Sequence, residues 1–465
     1  MPIPNLKKIV LFFLLPIAIL GFASSFLFLK DDLNHKPNQS SYPQSKMNTK
    51  DSIPLLISGS FLNKSGNISF EQIKQGFIRN KIYCTRDVAD FCRTKFRLEA
   101  APISISVEQF DHTNDSLLLI TSIDSITPQF LSLTYEGLSF FDKSESYKLW
   151  IPTTHAFDYN KEITSYMHTG VTAITRSAGI VLDKKGIDFY LKNIEGYFTA
   201  AELIHISNEV SIQQECDYGT MKMKFATRAN HFEIIKRLRA NIIELTGNHN
   251  LDVGSEPYLN SLKWYENHGM LYFGGGRSPA EANRPLVKTL KDGKKVAWIG
   301  FNELCPCGEC ADTKMGANRY RPEKAKKIID SLKKNQVSYI IACVQFGETD
   351  SYSPTVSQKN ICKYIIDCGA DVVLGSQAHQ AQEIALYKNK IIFYGLGNFL
   401  FDQIHRIGVR QAFFLKCYFY KGRIIQYQPV YTFMNAERQP TIANSSEKSE
   451  IQKSILKKNN FKKSN

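Results

Sequence analysis

The stretch Ile242-Ile243-Glu244-Leu245-Thr246-Gly247-Asn248-His249 decides how this chain is read. A short, β-branched apolar run ends in a small residue, a carboxamide and an imidazole, the pattern of a buried strand that delivers polar groups at its carboxyl end. Working outward, the same unit recurs. Runs over 296–300, 339–344, 372–374 and 391–394 are short and apolar, and segments 229–239, 256–268, 322–334 and 357–368 between them have helical spacing. Strand and helix therefore alternate, as in an α/β sandwich. In such sheets sites collect at the carboxyl ends of the strands. Gln345-Phe346-Gly347-Glu348, Gly375-Ser376-Gln377-Ala378-His379 and Gly395-Leu396-Gly397-Asn398 repeat the polar ending of the first unit.

Upstream, segment 53–164 shows short β-type runs at 54–57, 103–107, 116–120 and 132–135 with one helical stretch over 70–80, which predicts a small α+β domain. It carries no catalytic constellation. Residues 31–52 are polar and lack periodicity, so they read as a tether. Before them, 9–29 is free of charge, preceded by Lys7 and Lys8 and followed by Lys30, Asp31 and Asp32. At about 1.5 Å per residue this run spans a bilayer core, and the lysine pair keeps the N-terminus cytoplasmic. We therefore expect a membrane anchor over 1–30 and an extracytoplasmic globular part. A cleaved signal peptide is the alternative, although the apolar run continues past the small residues Gly21 and Ala23. Residues 436–465 are expected to form a C-terminal tail.

Of the 465 residues, 58 are Lys or Arg and 44 Asp or Glu, a formal charge of +14 that suits an acidic partner. No nucleic-acid reader motif accompanies it. Ten cysteines fit an oxidising compartment, with Cys84 and Cys92 near enough for a local loop and Cys305, Cys307 and Cys310 clustered, Cys216 being available to them. A zinc site would want a second spaced pair, so disulfides are the favoured reading. Gly274-Gly275-Gly276 lacks the Lys-Ser/Thr ending of a phosphate loop and reads as a turn needing positive φ.

TGNHNLDVG (246–254), GMLYFGGG (269–276), GADVVLGSQAH (369–379) and IIFYGLGNFLFDQ (391–403) resemble, in order and spacing, the signature blocks of the capsule synthesis protein CapA family, the poly-γ-glutamate capsule proteins. TGVTAITR (169–176) and HISNEVS (205–211) resemble its opening loop and its Asn-Glu block, so the resemblance covers about 165–435. It implies a two-sheet α/β sandwich of calcineurin-like metallophosphoesterase type, whose loops hold two metal ions. It also implies a membrane-anchored role in capsule or poly-γ-glutamate type polymer biosynthesis or export, with an anionic envelope polymer or its membrane synthase as partner. The alternative is a metal-dependent phosphoesterase or hydrolase acting on an envelope polymer or phosphoester.

Against the family pattern this chain has Val171 in place of an Asp, and Gln345 and Gln377 in place of His. A neutral amide ligates more weakly than imidazole or carboxylate. The remaining candidate ligands for a divalent ion (Mn, Zn or Fe) are Glu209, Asn248, His249, Glu348 and His379, with His249 or His379 alternatively placed to protonate a leaving oxygen. Asn208, Asp252, Gln345, Gln377 and Asn398 are candidates for substrate binding. Each has a structural alternative: Asn248 satisfies loop amides, Asp252 caps the following helix, and the two glutamines stand behind the ligands. Glu209, next to an apolar run, needs a partner or an ion.

Overall fold

The computed structural model describes residues 52–142, 146–154, 156–305 and 309–462. Two sheets carry the α/β part. The larger runs in the order Leu271–Phe273, Ile242–Glu244, Leu203–Asn208, Ile163–Thr172, Gln411–Tyr420, Arg423–Met434, Pro440–Ile442, and Asn398–Leu400 also pairs with Ile163–Thr172. Its first four strands are parallel, and the long hairpin that follows is antiparallel. The second sheet runs Leu286–Thr289, Lys295–Asn302, Tyr339–Gln345, Val372–Ser376, Lys390–Phe393, Ile384–Tyr387, with a parallel centre.

Strand side chains alternate between faces, and that alternation sorts the core into layers. Tyr166, Leu203, Ile242 and Leu415 from the first sheet meet Val296, Trp298, Ile341 and Leu374 from the second. On the outer face of the first sheet, Met167, Ile204, Ile206 and Phe414 pack against helices Arg176–Leu191, Ala229–Arg237 and Ser255–Asn267. On the outer face of the second, Ala297, Ile299, Ile340 and Ala342 pack against Pro322–Lys334 and Val356–Cys368. The result is a mixed α/β fold with two facing sheets and helices outside both. Helix Val356–Cys368 shows how local sequence fixes an element: Thr355 and Gln358 close a capping box and Gly369, at φ 112°, ends it.

A third sheet, with the path Ile82–Cys84, Leu118–Ser122, Ser52–Ser60, Phe130–Ser132, is built from the upstream segment; Trp150–Pro152 also pairs with Ser52–Ser60. Its core includes Tyr418, Tyr420 and Ile425 of the long hairpin, so the segment packs on that hairpin. The strand expected over 103–107 reduces to a single bridge from Ser104 to Cys84 and a short turn of helix at Val107–Gln109. Residues 436–465 hold more than a tail. Strand Pro440–Ile442 extends the large sheet, and Ile451, Ile455 and Phe461 are buried in the layer between the sheets. Gly274 has the expected positive φ of 75°, whereas Gly275–Gly276 forms a ladder with Gly316–Ala317.

The anchor and most of the tether, residues 1–51, lie outside the described residues; among those described, no helix is long and apolar enough to cross a membrane. A disulfide joins Cys305 to Cys310. Cys307 lies outside the described residues. Cys84 and Cys92 do not form the expected bridge; both are buried as small core side chains and hydrogen-bond to each other, and Cys216 is likewise unpaired. Free thiols pack as small hydrophobes, and that is the use made of them here.

Candidate functional site

Glu209 sits one residue past strand Leu203–Asn208, its backbone N–H bonded to Thr172 O at 3.0 Å on the neighbouring strand. Its side chain is fully buried, and neither carboxylate oxygen has a hydrogen-bond partner. Burial raises its pKa to about 7, against the pull of the His249 charge. The turn that brings His249 beside it depends on Gly247. A Cβ there would lie 2.9 Å from Glu209 Cα and 2.8 Å from its Cγ, so no larger residue fits without displacement. Asn302 Nδ2 donates to Thr246 O at 2.8 Å and ties this turn to the second sheet.

His249 is held on two sides. Its Nδ1 is 2.7 Å from Asp252 Oδ2, and its ring stacks on Phe225 with centroids 4.0 Å apart. Burial acts to lower its pKa, but the Asp252 hydrogen bond and the Glu209 charge overcome it and the net shift is upward. Asp252 accepts Phe225 N–H as well, at 2.8 Å. It therefore does not cap helix Ser255–Asn267, whose N-cap is Gly254, and its Oδ2 is spent on holding the His249 turn. With Nδ1 engaged, Nε2 is the atom of His249 left for a ligand or a proton.

The amides form a chain. Gln345 Nε2 donates to Asn248 Oδ1 at 2.7 Å and to Gln377 Oε1 at 2.8 Å, and Gln345 Oε1 is buried without a partner. Gln377 and His379 have φ of 76° and 54°, a left-handed backbone that residues with a Cβ adopt at a cost and that clusters at functional sites. His379 Nδ1 is 2.9 Å from Asn398 Oδ1, its ring stacks on Phe401 at 5.2 Å, and its Nε2 lies 3.8 Å from exposed Glu348. Burial lowers the His379 pKa, opposed by Asn398 and Glu348.

Two further assignments change. Asn208 spends its amide on Val210 O and the Tyr265 hydroxyl, at 2.6 and 2.8 Å, so it braces the strand end and is not free to bind substrate. Asn398 donates to Gln403 and to Val409 O, each at 3.2 Å, while its oxygen meets His379. It positions that imidazole. Val171 is buried between Asn398 and Ser207 in the sheet and offers no donor.

Sequence reasoning missed the block behind both imidazoles. Phe225 backs His249, Phe401 backs His379, and the two rings are 6.0 Å apart. Arg176 lies over both, at 4.4 and 5.4 Å from their centroids, and grips Asp402 through two hydrogen bonds of 3.0 and 2.6 Å. Glu309, buried beside the disulfide, adds its charge to the surroundings of His249 and Asp252. The separation of 226 positions between Arg176 and Asp402 hid their pairing, although Arg176 closes the quoted opening block and Asp402 lies in the last one.

A metal pair bridged at about 3.5–4 Å needs several anionic or imidazole donors converging on it. The strand ends do not supply them. Among the described residues, Glu209, His249, Glu348 and His379 do not make a set of three or more donors within 4.8 Å of one another. The donor types at the strand ends, the orphaned Glu209 carboxylate, His249 Nε2 and the amide oxygens of Asn248 and Gln345, are those of a single ion of hard or borderline character, although Asn248 Oδ1 also accepts Gln345 Nε2–H.

The family model described as bacterial capsule synthesis protein PGA_cap matches residues 165–403. The PGA biosynthesis protein CapA of Bacillus subtilis (strain 168) is 23% identical over 248 residues, 53% of this chain and 65% of that protein. The capsule biosynthesis protein CapA of Bacillus anthracis is 23% identical over 252 residues, 52% of this chain and 61% of that protein. The chain thus spans less than two thirds of either relative's length. A 5'-nucleotidase precursor from Thermus thermophilus aligns at a TM-score of 0.35 and 14% identity, covering 63% of this chain and 58% of that one.

Proposed function

The chain belongs to the bacterial capsule synthesis protein PGA_cap family, and from that premise we propose that it serves the biosynthesis or export of a capsule or poly-γ-glutamate type polymer. The globular part is held outside the cytoplasmic membrane by residues 9–29. The two-sheet sandwich is read as the calcineurin-like arrangement, with the working site where the strand ends of both sheets meet. The observation that carries this reading is the buried Glu209 carboxylate, which has no partner in the fold and stands within reach of the His249 charge. A buried acid without a partner costs several kcal/mol unless a proton or a cation satisfies it.

In this reading Glu209, Asn248 and His249 hold one divalent ion. When bound, the ion supplies positive charge that attracts a carboxylate or phosphate oxygen of the polymer or its precursor. The chain's own residues do the rest. Asp252 fixes the tautomer of His249 and keeps Nε2 facing outward from the pair. Gln345 and Gln377 present a hydrogen-bonded amide row beside Asn248. His379, whose Nδ1–H donates to Asn398 Oδ1 and whose pKa burial lowers, presents a bare Nε2 that can accept a hydrogen bond from a protonated group of the polymer or its precursor.

The test is replacement of the chromosomal gene by the Glu209→Gln or His249→Ala form, with surface polymer measured at matched protein levels. Loss of polymer in both variants is the expected result. Wild-type polymer in either would overturn the reading.

A further inference from the structure

A second group of donors lies in the layer between the sheets, away from the strand-end loops. His168, His205 and Glu244 come from three strands of the first sheet and Cys343 from the second, and all are buried. Alternation puts them there. His168 shares a face with Tyr166, His205 with Leu203 and Glu244 with Ile242, all residues of the intersheet core, which also contains Cys343. One ligand atom from each lies within 4.8 Å of the others.

We propose that His168, His205, Glu244 and Cys343 form a structural zinc site that pins the two sheets together. Donor chemistry is the first argument. Two imidazoles, one carboxylate and one thiolate are four zinc ligands, and a closed set of four protein ligands is the mark of a structural site. Charge balance is the second. A thiolate and a carboxylate carry two negative charges, which cancel a divalent ion and leave a neutral assembly in a region without solvent. The thiolate also selects zinc over magnesium or manganese, in contrast to the oxygen and imidazole donors at the strand ends.

The surroundings have the form of an outer layer of support. The Tyr166 hydroxyl is 2.6 Å from His168 Nδ1 and accepts Trp298 Nε1–H at 2.9 Å, and in the tautomer whose Nδ1–H donates to that oxygen His168 Nε2 is left for a metal. Thr246 donates to Glu244 Oε1, and Glu244 Oε2 is 3.0 Å from His205 Nε2. His205 Nδ1 is buried with no hydrogen-bond partner. A ring with an orphaned nitrogen in the core is costly as a purely structural choice, and a metal bond would satisfy it. Turning is required, because the two rings now stack at 3.8 Å and 9° and parallel rings cannot both aim a lone pair at one ion. Bonds of about 2.0–2.3 Å in a tetrahedron put donor atoms roughly 3.3–3.8 Å apart, so the group closes by about 1 Å on binding.

The experiment uses the purified full chain, expressed with zinc supplied. Elemental analysis should find about one zinc per chain that remains in His249→Ala and is lost in His205→Leu, beyond any ion held at the strand ends. Replacement by cobalt should give a thiolate-to-cobalt charge-transfer absorption that Cys343→Ser abolishes, a readout that survives if the variant binds metal through the other three ligands. Zinc absent from the wild-type protein, or a cobalt–thiolate band that persists in Cys343→Ser, would overturn the proposal. The His249→Ala control separates this site from the strand-end one, so either can fail alone.

Discussion

Replacing Glu209 by Gln removes a buried acid whose pKa stands at about 7 against an ordinary 4.5. A carboxyl raised in the folded state stabilises the fold relative to the ionised case only while protonated. Its contribution is complete below pH 4.5, where both states hold the proton, and is lost as the pH rises through 7. At about 1.4 kcal/mol per pH interval, the wild-type chain should lose about 3 kcal/mol between these limits that the Glu209→Gln form keeps. For the 417 residues of Thr49–Asn465, an unfolding entropy of about 0.9 kcal/mol/K converts this to about 3 °C in Tm. The assay is tryptophan fluorescence melting of both proteins in chelator, from pH 4.5 to 8. Titrations that do not feel Glu209 cancel in the difference, and that of His249, which the Glu209 charge raises, changes in the same sense, so the gap between the curves should widen with pH in favour of the Glu209→Gln form. Excess divalent ion should close the gap by holding the carboxylate ionised. Parallel curves across the range would refute the argument that Glu209 is buried without a partner.

Gly247→Ala should cost about 1–3 kcal/mol, because its Cβ must push against the Glu209 backbone and side chain; an unchanged melting curve would show that the turn can relax. Asp252→Asn should move the His249 titration, followed by imidazole NMR, to lower pH, since the partner that raises it is lost; no movement would remove Asp252 from that role. Arg176→Met leaves Asp402 buried with only Ser177 as partner, and a loss of about 3 kcal/mol is expected, with part regained in the Arg176→Met, Asp402→Leu double variant; additivity of the two changes would deny their coupling.

The alternation of strands and helices over 229–394 was legible because Val- and Ile-rich runs between amphipathic segments leave few alternatives. The strand-end loops were legible for the same reason: polar residues directly after buried strands have one place to go. The use each loop residue is put to was not. Asn208, Asp252 and Asn398 look like ligand-binding side chains in one dimension, yet each is spent on a backbone group or an imidazole that only the fold brings near. Glu244 was hidden inside an apolar run, and His168, His205 and Cys343 join it only through strand order and register. The C-terminal helix Ser445–Ile455 is charged enough to pass for a tail, although Ile451 and Ile455, four apart, are the two positions it buries.

Elemental analysis of the purified full chain beside His249→Ala tests the central claim most directly. One divalent ion, whether Mn, Zn or Fe, should be present at about one per chain in the wild-type protein and missing from the variant, over and above any zinc held between the sheets. Equal metal content in the two proteins, after incubation with excess divalent ion, would contradict a working ion at Glu209, Asn248 and His249.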